Sequence, residues 1–261
     1  MQLLFQKRIV LSLLVFLSFA SEVTAASVFD IFGLGRSRDT NSLSGDLTQG
    51  EMVKGLKEAL SLGVEQAIAR LGVDGGFLTN LAVRIPMPEK LRSVEKTLRA
   101  MRQDKLADEF VVTMNRAAEK AVPEAAQVFT DALQRMSMDD AKSILRGGDD
   151  TATQFFRRTS STNLFQRFLP IVKKATEQTG VVASYKKIMD KASRPESLGG
   201  FGKILDEVLG GPASFDVDSY VTDKAMDGLF KMVAEEEKRI RENPWARGSQ
   251  LLKKVFGSIK R

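Results

Sequence analysis

Asp74, Asn80 and Arg84 place an acid, an amide and a guanidinium in one short stretch, among Gly75, Gly76 and Phe77. These are groups that recognise a ligand, and irregular segments held by a rigid scaffold often carry them. The structural alternative is stronger: Phe77, Leu78, Leu81 and Ile85 plug a helical core while the polar residues satisfy backbone groups. Asn115 is a second candidate. It shares a helical stripe with Val111, Ala118 and Val122, so its amide faces the apolar side, flanked by Arg116 and Glu119. A buried amide needs partners or costs roughly 1–3 kcal/mol. A ligand, another helix or the Asp74–Arg84 segment would each supply them, and an internal partner is favoured.

Other patterns point to chemistry only weakly. Gly147-Gly148 precedes a helix carrying Arg157 and Arg158, an arrangement that can cradle an anion. Asp149 and Asp150 at its mouth repel one, so Asp150 is expected to cap that helix. The pairs Asp139/Asp140 and Asp149/Asp150, and Asp216 with Asp218, lack calcium-loop spacing. Ser-x-x-Lys occurs at Ser93 to Lys96 and Ser184 to Lys187, without the companion motifs of acylating serine enzymes. Carboxylates are plentiful, and an acid pair acting on cell-wall material stays open as a hydrolase reading, because its separation cannot be read from sequence. The chain has no histidine and no cysteine. Ser-His-Asp triads, thiol chemistry and zinc sites built on those residues are therefore excluded. No cofactor and no metal site is expected.

The elements that must position these residues are helical. Thr48 and Glu51 form a capping box, followed by Val53, Leu56, Leu60, Val64, Ile68 and Leu71 at helical spacing. Gly72 is expected to end this helix in a left-handed conformation. Residues 83–88 are extended, because Pro86 and Pro88 push their predecessors out of helical geometry. Helices follow from Leu91 to Met101, from Asp104 to Ala121, from Pro123 to Met136 and from Ser137 to Gly147. A sixth is capped by Asp150, and a seventh starts near Ser161, with Pro170 kinking it or marking its start. An eighth covers Val181 to Ala192, and a long one runs from Asp216 or Asp218 to Glu242, with Glu235/Arg239 and Glu237/Arg241 spaced as ion pairs. No stretch alternates as a strand would. The expected fold is all-α, a single globular domain of about nine or ten helices.

The last helix follows Asn243-Pro244. Trp245, Leu251, Leu252, Val255 and Phe256 give it an apolar side, with Lys253 and Lys254 off it. Such a helix docks on its own domain or lies weakly on an anionic membrane surface, and docking is favoured. From Lys238 onward the chain has eight basic residues and one acid; the preceding mature body is slightly acidic. Basicity confined to a tail argues against nucleic acid as a partner.

Residues 1–26 read as a secretory leader. Lys7 and Arg8 precede an apolar run from Ile9 to Ala20, and Val23-Thr24-Ala25 offers a cleavage site. The run is short for a membrane span. Without cysteine there is no lipid anchor, so a soluble periplasmic product is expected. Residues 27–46 are a flexible lead-in, 47–257 the helical domain and 258–261 a basic end.

Several blocks carry a resemblance: Asp74 to Phe77, Val83 to Pro88, Met114 to Glu119, Asp140 to Leu145, Phe168 to Val172 and Leu251 to Gly257. Together they resemble the bacterial domain-of-unknown-function family 4197, from about Leu47 to Gly257. The resemblance implies an exported, mostly helical domain of the bacterial envelope, and carries over no reaction, cofactor or catalytic residue. The expected role is a non-enzymatic protein that binds another envelope component through Asp74, Asn80, Arg84, Asn115 and Arg116. A carrier for lipid or another apolar ligand is the alternative, if the Phe, Met and Leu stripes line a cavity instead of closing on one another.

Overall fold

Thr48 opens the first helix of the computed structural model, which describes residues 48–100, 102–178 and 215–242. All of these lie in the unit Leu43–Arg261. The described elements are helices: α1 Gln49–Leu71, α2 Arg92–Ala100, α3 Asp104–Ala121, α4 Ala125–Gln134, α5 Met138–Arg146, α6 Thr151–Gln178 and α7 Val217–Glu242. Two 3-10 turns, Glu89–Leu91 and Val122–Glu124, lead into α2 and α4. Among the described residues there is no strand. The leader, the lead-in, the expected helix from Val181 to Ala192 and the tail from Trp245 lie outside the described residues.

Local signals set most helix starts. The Thr48 hydroxyl accepts from Glu51 N while the Glu51 carboxylate accepts from Thr48 N, and Ser137 with Asp140 repeats the arrangement at α5. Asp216 caps α7: its carboxylate accepts from Asp218 N and Ser219 N, both at 3.0 Å, and from the Ser219 hydroxyl at 2.6 Å. The Ser219 bonds hold the Asp216 carboxyl below the usual carboxylate range, and the Ser137 bonds do the same for Asp140. A depressed folded pKa contributes stability above the unfolded value, and that contribution is lost as pH falls through the folded one. Because asparagine caps a helix without the charge, the melting-temperature gap between wild type and Asp216→Asn should close as pH drops from neutral to below about 4. A gap that widens on acidification would contradict the assignment.

Two expectations are corrected. The sixth and seventh helices are one continuous α6, with Pro170 inside it. The start expected near Ser161 falls inside the helix, where the Thr159 and Ser161 hydroxyls bond the carbonyls of Phe155 and Arg157 one turn back. Gly72 ends α1 at φ −81°, not in the left-handed region; that conformation falls on Gly75, at φ 86°. Gly76 is needed for space instead, since a Cβ there would sit 2.4 Å from the Leu71 carbonyl oxygen.

α7 packs most extensively on α6 and α1, and also on α3. Phe77, Phe110, Phe129, Phe156, Phe168 and Phe230 are fully buried, with Phe129 edge-on to Phe156 at 4.8 Å. Gly228 lets α7 meet the segment after α1: a Cβ there would lie 2.6 Å from the Phe77 ring. Gly228→Ala should lower the melting temperature, because overpacking of about 1–3 kcal/mol opposes a helix-propensity gain of about 1 kcal/mol. Gly50→Ala, where the Cβ meets nothing within 4 Å, should leave stability unchanged or raise it. Thermal unfolding of the two variants side by side checks the contrast.

Candidate functional site

The segment between α1 and α2 is held by side chains from two helices. On α3, Asn115 and Glu119 lie one turn apart on the same buried stripe. Glu119 Oε1 accepts from Phe77 N at 3.0 Å and Leu78 N at 3.1 Å. Its other oxygen accepts from Arg116 Nη1 at 2.9 Å, and the same nitrogen reaches Asp74 at 3.0 Å. Asn115 binds the extended part: Oδ1 accepts from Ile85 N, and Nδ2 donates to Ile85 O and Val111 O, all at 2.8–2.9 Å. Both amide donors are thus occupied, and the side chain is inaccessible to water. From α7, Lys231 donates to Ala82 O and Tyr220 to Pro86 O.

Within the segment, Asn80 makes the turn. Its carbonyl accepts from Val83 N and Arg84 N, and its side chain accepts from Ala82 N. The turn points residues 81 and 82 away from the core. Leu81, expected as a core plug, is 87% exposed instead. Val83 is buried in its place, against Gly228. Phe77 and Ile85 are buried as expected, while Leu78 is half-buried.

Of the five candidate residues, Asp74 and Arg116 are ion-paired at one end of the segment. Asn115 lies buried behind its other end, and Asn80 shapes the turn between. Arg84 is exposed and faces a cleft of about 370 Å³ shared with Leu81, Met87, Arg92, Arg99 and Val111. Among the described residues Arg84 has no ion-pair partner, and Arg92 has only Glu89, at 3.4 Å and itself exposed. Arg99 is neutralised: Glu95 and Asp108 both bind its Nη2 at 2.9 Å, and Asp104 lies 3.4 Å from Nη1. Those hydrogen bonds hold the Arg99 pKa above its ordinary value. Glu95 and Asp108 also line the cleft. A hydrolytic acid pair must leave room between its carboxyls for the glycosidic oxygen; here the guanidinium fills that room.

The Gly147-Gly148 junction resolves differently from expectation. Asp150 does not cap α6 with its side chain; its carboxylate accepts from the Gln154 side chain. Glu237 of α7 does the capping, accepting from Ala152 N at 2.9 Å and from Thr153 N and its hydroxyl at 2.8 Å. An anion site at this helix start is therefore filled by the protein's own carboxylate. Arg241, paired with Glu237 at 2.7 Å, donates to the Ile144 carbonyl that ends α5. The Glu237/Arg241 spacing was visible in the sequence; its role in joining two other helices was not. Arg239 pairs with Glu236 at 2.9 Å instead of the expected Glu235. Glu236 is the buried carboxylate of the two and also binds Arg70 at 3.0 Å.

Among the described residues no cluster of three or more acidic side chains is placed to hold a metal ion, and no helix is long and apolar enough to cross a membrane. Sequence reading noted Glu119 only as a flank of Asn115, and passed over Arg92 and Arg99. Glu119 was detectable, one turn beyond Asn115 amid Ala117, Ala118 and Ala121. The two arginines gave no signal, because their importance comes from the cleft wall they share with the distant Leu81.

A family model described as a protein of unknown function, DUF4197, matches residues 46–257. No curated protein and no solved structure matches the chain.

Proposed function

We propose that this chain, which belongs to the DUF4197 family of unknown function, is an exported, non-enzymatic binding protein of the bacterial envelope that presents residues 73–88 to another envelope component. One observation carries the reading. Side chains from α3 and α7 pin this segment at Phe77, Leu78, Ala82, Ile85 and Pro86, yet its tip displays Leu81 at 87% exposure beside Arg84, which has no ion pair among the described residues. Rigidly held apolar side chains are good anchors, because little freedom is lost when a partner covers them. Asp74, Asn80, Asn115 and Arg116 then position the segment, and Arg84 contacts the partner. The leader-like residues 1–26 support export to the periplasm. The phenylalanine stripes close on one another, which favours a filled core over a carrier cavity.

A photo-crosslinking residue at position 81, in living cells, tests this. It should give a discrete adduct that the same residue at the exposed Met138 does not, and Arg84→Glu should reduce the adduct without lowering the melting temperature. Equal labelling from positions 81 and 138 would remove the segment from the binding surface.

A further inference from the structure

We infer that the component recognised by residues 73–88 offers an acidic peptide segment, with a carboxylate next to an apolar side chain, to the cleft between that segment and α2–α3. The inference rests on the preceding reading of 73–88 as the partner surface and adds the chemistry of what sits there.

The backbone of the extended stretch is closed to strand addition. Ile85 N and O are both bound by Asn115, Arg84 N is bound by Asn80 O, and Pro86 O is bound by Tyr220. Pro86 and Pro88 have no N–H to give. An added strand needs a row of free donors and acceptors, so recognition falls to side chains.

Those side chains have a definite character. Met87 and Val111 are buried apolar walls, and Leu81 is an apolar rim. Arg84, which has no ion-pair partner among the described residues, is the cation left to serve an incoming anion; Arg92 beside it is paired only with the exposed Glu89, at 3.4 Å, whereas Arg99 is already held by Glu95, Asp108 and Asp104. A guanidinium fork fits a carboxylate with two parallel hydrogen bonds. At about 370 Å³ the cleft is at the small end for ligand sites and suits one or two side chains. A lipid is a poor fit. Five charged side chains line the cleft, and an acyl chain would strip water from them without replacing their hydrogen bonds. An acidic residue beside an apolar one matches both halves of the wall.

Fluorescence anisotropy on the protein as isolated from cells tests this, using a fluorescein-labelled peptide of Leu-Asp pairs spaced by Ser-Gly. A Leu-Lys counterpart and phosphatidylglycerol vesicles run in parallel. Saturable binding is expected for the Leu-Asp peptide alone, weakening with added salt and falling roughly tenfold or more in Arg84→Glu and in Leu81→Asp. Both positions are exposed, so both variants should melt with the wild type. No binding of the Leu-Asp peptide, or equal binding by Arg84→Glu, overturns the inference; binding to vesicles alone overturns it in favour of a lipid surface. Cross-linking from position 81 separates the two levels. An adduct in cells with no peptide binding sinks the acidic-peptide assignment alone, whereas loss of the adduct also removes the partner-surface reading beneath it.

Discussion

Replacing the buried Glu237 with alanine should destabilise the protein by roughly 3–5 kcal/mol, because it breaks a buried ion pair and removes a helix cap. The carboxylate is buried and answers three donors at the start of α6 besides Arg241. Without it, the Ala152 and Thr153 amides lose their acceptor, and Arg241 keeps its charge in a largely enclosed position. For a domain of this size the melting temperature should fall by roughly 6–20 °C. Glu237→Gln keeps an acceptor and loses the charge, so it should fall between alanine and wild type. Adding Arg241→Met to Glu237→Ala should recover part of the loss, because the stranded cation goes with it. A melting temperature within a degree or two of wild type for Glu237→Ala would remove the carboxylate from its capping role.

The second large effect is expected at Asn115. Asn115→Leu keeps the volume but strands Ile85 N and O, at roughly 1–3 kcal/mol for each buried group left without a partner. The loss of about 2–6 kcal/mol should come with a local signature: faster amide exchange at Ile85 than elsewhere in the core. Asn115→Asp is the sharper variant, since it can still accept from Ile85 N but turns an oxygen toward Ile85 O. It should be no better than leucine. Exchange at Ile85 unchanged in both variants would mean that the segment is held by Glu119, Lys231 and Tyr220 alone. If Asn115 acts as described, either variant also weakens cross-linking from position 81, although its side chain is far from solvent.

What the sequence made legible follows from range. The capping box at Thr48, the start at Ser137, the opening at Asp216 or Asp218 and the first turn at Pro123 depend on near neighbours, and the described helix starts were read within a residue or two, apart from the false start near Ser161. The stripe through Val111 and Asn115 likewise exposed a buried amide, and the Asp74–Arg84 segment was among the partners weighed for it. Local rules misled where a distant group intervened. Asp150 had the right type and position to cap α6, but Glu237 reaches the same amides from α7. Leu81 had the right type for a core plug, but Asn80 folds the chain back and delivers Val83 instead. Glu235 had the better spacing to Arg239, but burial made Glu236 the stronger attractor. The cleft was the least legible feature, because its walls come from a loop and two helices whose apposition no local pattern records.

The Glu237–Arg241 clasp also gives the fold a calendar. The corner between α5 and α6 lies near the middle of the chain, yet its missing acceptor and donor arrive only with residues some ninety positions later. A ribosome that has released α6 but not α7 holds a chain whose corner cannot latch and whose Phe77 has no Gly228 to rest against. The corner between α5 and α6 therefore closes only once α7 has been made, because its acceptor and its donor both come from that helix.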